Sequence, residues 1–588
     1  MKHPNTLIYK IIAAAAMMLV AACPKPSDTA KEVQETVPTT ELLELHCGDY
    51  IGGPRVEKIT DRVWLAIGYD LASVVLVNTD DGNVIIDTAM SPKRARLIKE
   101  ALAKETPQAP ITNIIYTHSH IDHIGGASEF VEENTRIWAT DAFTDHFFKQ
   151  YGMFGRIETI RGRRQFGDHI SLENLPCSSL GRRTDIGAAV ENGVRLPTHT
   201  FSGKKVLDIG GVTFELIEAH GETHDQLIVW IPGEDTLIAA DDFYNTFPNL
   251  YTLRGTSPRP VNEWIKSIDV MRAKNPEHLV PMHTIPIHGK AKVAETLTNY
   301  RDSIQWVRDA VVRGANRGDD IDTLVDTIGL PPHLAAPHCN KELYGQVSWS
   351  VRAIYSNELG WFDGRADKVY PISPKEAAKR EVTLMGGPEK IIQLAKSSID
   401  MDDTKWAIHL LAKLNASGLA AGDLSDTVDD LLVTSYEKLA TTVSNTNGRG
   451  YLLESAYEIR NGFSEPRPKK ATEYLVSHIP LDTIFNIMAV RLIPEKAMDV
   501  HECVHFVFPD ANKRYIVTIR NGIAEIVEGD PLPGTPEPVA VLTTDSQTYV
   551  KMALGLTSPA IAVTLGKFKV KGSLKALVEF QNRFQTGI

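Results

Sequence analysis

The sequence predicts an α/β protein: a domain of mixed strands and helices, then an all-helical section, then a smaller α+β module. Three observations carry this reading. Between Val63 and Tyr116, short apolar runs of strand character surround one helical pattern and end on a cluster of metal-capable side chains. From about residue 375 to 463, apolar residues recur at helical spacing, as at Trp406, Ala407, Leu410, Leu411 and Leu414. From Val504 to Phe508 and Tyr515 to Arg520 they alternate, the period of a half-buried strand.

At 588 residues the chain is too long for one core, and 43% hydrophobic with 23% charged residues is globular rather than disordered composition. Lys2 and Lys10, the apolar run Ile11 to Ala22 and then Cys23 read as a signal peptide over residues 1–22, because the run is too short to span a bilayer comfortably. Val20-Ala21-Ala22-Cys23 resembles a bacterial lipobox, whose cysteine is lipidated and becomes the mature N-terminus. That implies an exported lipoprotein, periplasmic or membrane-anchored through Cys23; the other reading is an ordinary signal peptide cut near the same alanines. Pro24 to Thr40 is rich in Pro, Lys, Glu and Thr, and residues 23–54 are assigned to a flexible tether. The net charge of −12 becomes more negative when Lys2 and Lys10 are removed, which argues against nucleic acid as a partner. Cys47, Cys177, Cys339 and Cys503 are scattered without a Cys-X-X-Cys pair, so a zinc ribbon is excluded and any disulfide pairing stays undetermined.

Val63 to Ile67, Ser73 to Val77 and Val84 to Asp87 read as strands, with Asp80-Asp81-Gly82 as a hairpin turn. Ser91-Pro92 suits the N-cap and first residue of a helix through Lys104. The strand Ile111 to Tyr116 then leads into Thr117-His118-Ser119-His120-Ile121-Asp122-His123. An extended segment alternates its side chains, so His118 and His120 point to one side, and the turn at Asp122-His123 presents the next two elsewhere. Imidazoles with a carboxylate suit borderline-soft divalent ions such as zinc. Two such ions about 3.5–4 Å apart can share a water and bring its pKa to about 7. The expected catalytic group is that metal-bound water, with no side chain assigned as general acid.

This pattern resembles the His-X-His-X-Asp-His signature of the metallo-β-lactamase superfamily, which implies an αββα sandwich over residues 55–325. The Arg- and Gly-rich segment Thr135 to Leu196, with Arg161, Arg163, Arg164, Arg182 and Arg183, has poor periodicity and reads as a long insertion covering the metal cleft. Strands resume at Lys205 to Ile209 and Val212 to Glu218 and reach Ala219-His220-Gly221-Glu222-Thr223-His224-Asp225. Superfamily members carry a third histidine here in a Gly-His-Thr motif; aligning Thr223 with that threonine puts Glu222 in its place, with His220 and His224 competing. A further strand run ends at Asp241-Asp242, and another leads to Met282-His283-Thr284.

Asn249-Leu250-Tyr251-Thr252-Leu253-Arg254-Gly255, Leu330-Pro331-Pro332-His333-Leu334, the run Tyr344 to Arg352 and Leu359-Gly360-Trp361-Phe362-Asp363-Gly364 together resemble the alkyl sulfatases of that superfamily. The resemblance covers roughly residues 55 to 588. It implies two Zn2+ per chain: His118, His120 and Glu222 on one, Asp122, His123 and His283 on the other, and Asp241 bridging, with Asp242 as the fallback. The chain departs from the family in having Gly-Glu-Thr-His-Asp for Gly-Thr-Glu-Ala-Pro, and Ala240-Asp241-Asp242 for Ala-Glu-Asn. Arg254 would grip a sulfate with its planar fork of donors, and Arg161 is the second candidate for substrate binding; a structural salt bridge is the plainer use of Arg254.

The resemblance further implies a helical dimerisation domain over 326–465, hence a homodimer, and a sterol-carrier-like domain over 466–588 behind the joint Ser464 to Lys470. The expected reaction is hydrolysis of a small amphiphilic sulfate ester to alcohol and inorganic sulfate. A hydrolase of another ester, lactone, phosphoester or β-lactam is the alternative on the same fold. A lipid-anchored amphiphile-binding protein with structural metals is the alternative of another class, and seven convergent ligands argue against it because structural zinc sites are usually mononuclear.

Overall fold

The computed structural model describes residues 36–151, 153–183, 192–465 and 472–585. The signal peptide, Cys23 and the first part of the tether lie outside the described residues. The chain forms two compact units, the larger of residues 34–150 and 154–470, the smaller chiefly residues 471–588.

Two sheets face each other in the larger unit. The first has the order β1 (Arg55–Lys58), β2 (Val63–Ile67), β3 (Val74–Thr79), β4 (Gly82–Ile86), β5 (Ile111–Ile115), β6 (Arg136–Thr140), β7 (His199–Phe201). Its first four strands are antiparallel and its last four parallel. The second sheet runs from β8 (Lys204–Ile209) through β9 (Val212–Glu218), β10 (Leu227–Ile231), β11 (Thr236–Ile238) and β12 (His278–Val280) to β13 (Ile287–His288). β2, β4 and β10 are buried along their whole length, as strands covered on both faces must be.

Val63, Leu65, Val75, Val84 and Ile115 of the first sheet meet Phe214, Leu216, Val229, Ile231 and Val280 of the second in one apolar layer. Outside the second sheet, Trp264, Ile268 and Met271 of the helix Val261–Lys274 pack with Leu297, Tyr300 and Ile304 of the helix Lys290–Arg317. Ala95, Ile98 and Leu102 form the buried face of the helix Pro92–Glu105, which Ser91 caps. The expected αββα sandwich is what forms.

The first part of the segment expected to be an irregular insertion is regular, while its described residues 167–183 and 192–196 carry no helix or strand. Thr135 to Leu196 contains β6 and the helices Phe143–Tyr151 and Gly155–Phe166. Its second helix buries only Ile160 and Gln165, so the sequence shows no apolar stripe there. Polar bonds hold the segment instead: Arg183 Nη1 donates to the carbonyls of Ile170 at 2.6 Å and Leu175 at 3.2 Å.

The tether, assigned to residues 23–54, ends earlier than that. Glu41–Leu45 is helical, continues through a π-helical turn His46–Ile51, and buries Leu43 and Ile51. A disulfide joins Cys47 to Cys177 across a sequence separation of 130.

The helical region has the helices Pro388–Asp400, Thr404–Ser417 and Asp423–Ala440 around Ile391, Leu410, Leu411, Leu414 and Leu432. Trp406, expected in this stripe, is 48% exposed and stacks on His409. The smaller unit is a five-stranded sheet, order β16 (Ile523–Glu528), β15 (Lys513–Arg520), β14 (His501–Phe508), β17 (Pro538–Thr544), β18 (Phe568–Gly572), with Phe485, Phe506, Phe508, Tyr515 and Tyr549 clustered on one face.

Candidate metal centre

The candidate ligands all sit just past strand ends at one rim of the sandwich. The Thr117-to-His123 loop follows β5, and the helical turn Ile121–Ile124 carries Asp122 and His123. Glu222 follows β9, Asp241 follows β11 and His283 follows β12. Four residues with side chains adopt positive φ at this rim: Asp87 at 58°, Ala89 at 67°, Ala240 at 52° and Thr284 at 66°. Such turns are costly and persist where packing enforces them; Ala240 immediately precedes Asp241, and Thr284 immediately follows His283.

Two groups of three residues have ligand atoms within 4.8 Å of one another: His118, His120 and Asp241, and Asp122, His123 and His283. Asp241 Oδ2 is 3.7 Å from His118 Nε2, 3.4 Å from His123 Nε2 and 3.1 Å from His283 Nε2, so it lies between the groups. Asp242 turns away and accepts the Glu222 N–H on Oδ1 at 3.2 Å. Glu222 stands at the edge of the first group, Oε1 3.9 Å from His120 Nδ1, while its Oε2 is held by Arg259 Nη1. The competing histidines are engaged elsewhere: His220 Nδ1 lies 3.1 Å from Glu263 Oε2, and His224 Nε2 3.1 Å from the Pro258 carbonyl.

Imidazole and carboxylate donors converge here, and buried His123 Nε2 and Asp241 Oδ1 have no hydrogen-bond partner among the described residues. Unsatisfied lone pairs at buried sites are costly, and divalent cations would satisfy them. The donor set therefore fits two such ions.

Neighbours fix which ring nitrogen faces the centre. His123 Nδ1 lies 2.6 Å from Asp87 Oδ2, His283 Nδ1 donates to the Leu71 carbonyl at 3.0 Å, and His118 Nδ1 contacts Thr117 Oγ1 at 3.0 Å. Asp87 also accepts the Thr117 N–H and hydroxyl, both at 2.8 Å. Each of these three rings thus keeps Nε2 toward the centre. Burial lowers His118 to about 3 and holds His120 well below the ordinary histidine value, so both rings keep a lone pair. Burial pushes the Asp241 carboxyl up, but His283, His123 and His118 outweigh it and keep Asp241 well below the usual carboxylate range. Burial raises Glu222 to about 7, opposed by Arg259.

A linear primary-alkylsulfatase of Pseudomonas sp. (strain ATCC 19151) is 31% identical over 530 residues, which cover 87% of this chain and 98% of that relative. The chain belongs to the alkylsulfatase family. The metallo-beta-lactamase superfamily model matches residues 67–283, the alkyl sulfatase dimerisation model 320–462 and the alkyl sulfatase C-terminal model 469–587. An (R)-specific secondary-alkylsulfatase of Pseudomonas sp. is 26% identical, with 89% of this chain and 80% of that one covered. The solved structure of a stereoselective inverting sec-alkylsulfatase from Pseudomonas sp. superposes with a TM-score of 0.86 at 24% identity, over 94% of this chain and 87% of that chain, and so shares the fold. A metal cofactor follows from the superfamily match and the two ligand groups.

Arg254 borders the first ligand group. Its Nη2 lies 3.1 Å from His120 Nε2 and its Nη1 3.3 Å from Glu158 Oε1. Arg161 commits Nε to the Leu253 carbonyl at 2.8 Å and Nη2 to the Tyr251 hydroxyl at 3.2 Å. It therefore reaches the loop that bears Arg254. Sequence reasoning misses Asp87, Arg259 and Asp225, whose Oδ2 accepts the Ser119 N–H at 2.8 Å between two candidate ligands. The signal for the two aspartates is position alone: Asp87 ends a strand run and Asp225 stands three residues past Glu222.

Proposed function

We propose that the chain hydrolyses sulfate esters of alkyl alcohols to alcohol and inorganic sulfate at a centre of two zinc ions. The observation that carries this is Arg254, a guanidinium 3.1 Å from His120 and hence a fixed positive charge for a sulfate beside the two ligand groups. His118, His120 and Glu222 would hold one ion, Asp122, His123 and His283 the other, and Asp241 would lie between. Such a pair of ions supplies a nucleophile at neutral pH by lowering the pKa of water to about 7, and offsets negative charge on oxygen. Arg254 binds and orients the headgroup, while Arg259 holds one Glu222 oxygen and leaves the other directed at His120.

The chain is further proposed to act as a homodimer. The dimerisation-model match supports this, as does an exposed apolar segment from Leu359 to Ile372 in which Trp361 is 80% and Tyr370 94% exposed. Lipid attachment at Cys23 and export are proposed from the lipobox-like sequence; the Cys47–Cys177 disulfide supports an oxidising compartment.

The deciding experiment is release of inorganic sulfate from dodecyl sulfate by the purified mature chain, with zinc measured on the same sample. About two zinc per chain and sulfate release lost in His120→Ala are expected. Full metal without release would move the activity to another ester class.

A further inference from the structure

The helix Gly155–Phe166 is held between two other parts of the larger unit. On one side, Glu158, Arg161 and Gln165 are spaced three and four residues apart, which puts them on one face. All three engage the stretch Tyr251 to Gly255. Glu158 Oε1 receives Arg254 Nη1 at 3.3 Å, Arg161 donates to Leu253 and Tyr251, and Gln165 Oε1 accepts the Arg254 backbone N–H at 2.7 Å and the Thr252 hydroxyl at 2.9 Å. Gly255, at φ 94°, completes the contact: a Cβ there would meet Arg161 Nη1 at 3.2 Å.

On the other side the helix is pinned to the helix Thr446–Asn461. Arg164 Nε donates to Glu458 Oε2 at 2.9 Å, and a Cβ on Gly450 would come within 2.5 Å of the Gln165 carbonyl oxygen.

We infer that Glu158, Arg161 and Gln165 are positioning residues for Arg254, fixing its backbone and its Nη1 so that Nη2 is presented at the His120 edge of the metal centre. The inference rests on Arg254 as the headgroup-binding residue. The Arg254 and Glu158 side chains are only 17% and 14% exposed, so their pairing is less screened than a surface ion pair. Gln165 is almost fully buried, and its amide oxygen is satisfied by this loop. Burial, opposed by Arg254 and Arg161, raises the Glu158 carboxyl to about 7.

The test is a double-mutant cycle on dodecyl sulfate hydrolysis. Glu158→Ala and Gln165→Ala should each raise KM about tenfold with kcat kept within about twofold, because they weaken ground-state and transition-state binding alike. Glu158→Gln keeps the accepting oxygen and should recover most of the loss, and neither alanine change should add to Arg254→Ala. Unchanged KM, a fall in kcat alone, or additive losses would each overturn the inference. Amide hydrogen exchange of residues 249–255 is read on the same proteins. Faster exchange in Glu158→Ala supports the clamp even if dodecyl sulfate is not turned over, and unchanged exchange refutes it, so its failure is separable from failure of the sulfatase reading.

Discussion

The metal centre and the helix Gly155–Phe166, which braces the Arg254 loop, are held by different physics. All seven candidate ligands are 9% exposed or less and stand on strand ends whose positions are set by the apolar layer between the sheets. That helix buries two residues and is fixed by polar bonds to backbone and side chains on both of its faces. A ligand can be displaced only by disturbing a close-packed core, whereas that helix can yield by one bond at a time. Damage to the first region should abolish activity, and damage to the second should tune it.

The largest expected effect is therefore at the residue between the two ligand groups. Asp241→Ala should cut sulfate release by at least about a thousandfold and lower the bound-metal content, checked by assay and metal analysis of one preparation. One step out, Asp87→Ala removes the carboxylate behind His123 and two bonds to Thr117. It should cost about 10–100-fold in activity or metal affinity, read by titration with a competing chelator. At the bracing helix, Gly450→Val pushes on the Gln165 carbonyl from behind and should change KM by only a few-fold, about three to ten. An equal loss in Gly450→Val and Asp87→Ala would erase the contrast between the two regions.

The same contrast explains what could be read in the sequence. The sandwich and the His118-to-His123 loop depend on strand periodicity and short spacings, which a sequence displays directly. The resemblance favours Asp241 and keeps its neighbour Asp242 as the fallback; the fold puts Asp241 Oδ2 between the two ligand groups and turns Asp242 to the Glu222 N–H. Irregularity is the expectation for residues 135–196 because the helix Gly155–Phe166 packs through Arg, Glu and Gln rather than through an apolar stripe. Trp406 has the right period and the wrong side, since only neighbours in space decide which face of a helix is covered. The pairing of Cys47 with Cys177 spans 130 residues and has no local signature.

That disulfide fastens the N-terminal segment to the stretch around Cys177, and breaking it tests stability rather than chemistry. Cys47→Ser should lower unfolding free energy by about 2–4 kcal/mol, because the cross-link restricts the unfolded chain; denaturant titration measures this, with the reduced wild type as a control. Activity of the folded protein should change little, because both cysteines are committed to each other rather than to the metal centre.

The smallest effect expected concerns the histidine beside that disulfide. His46 Nε2 lies 2.7 Å from the Ser179 carbonyl, which can only accept, so Nε2 carries the proton and Nδ1 accepts from His338 Nε2 at 2.9 Å. Burial lowers both His46 and His338 to about 4, the former opposed by the Ser179 bond and the latter lowered further by His46. Between about pH 4 and 6.5 the unfolded chain then binds more protons than the folded one, so stability falls as pH drops through that window and is complete above it. Going from pH 7.5 to 5 should cost about 1–3 kcal/mol through this pair, and the step should shrink in His46→Asn, which cannot be protonated. The disulfide limits how far the segment can move when His46 charges. In the Cys47→Ser background the same pH step should therefore open residues 40–51 to hydrogen exchange, while exchange in the metal-ligand loop stays slow. Equal opening of both would mean that the N-terminal segment and the metal centre unfold as one unit.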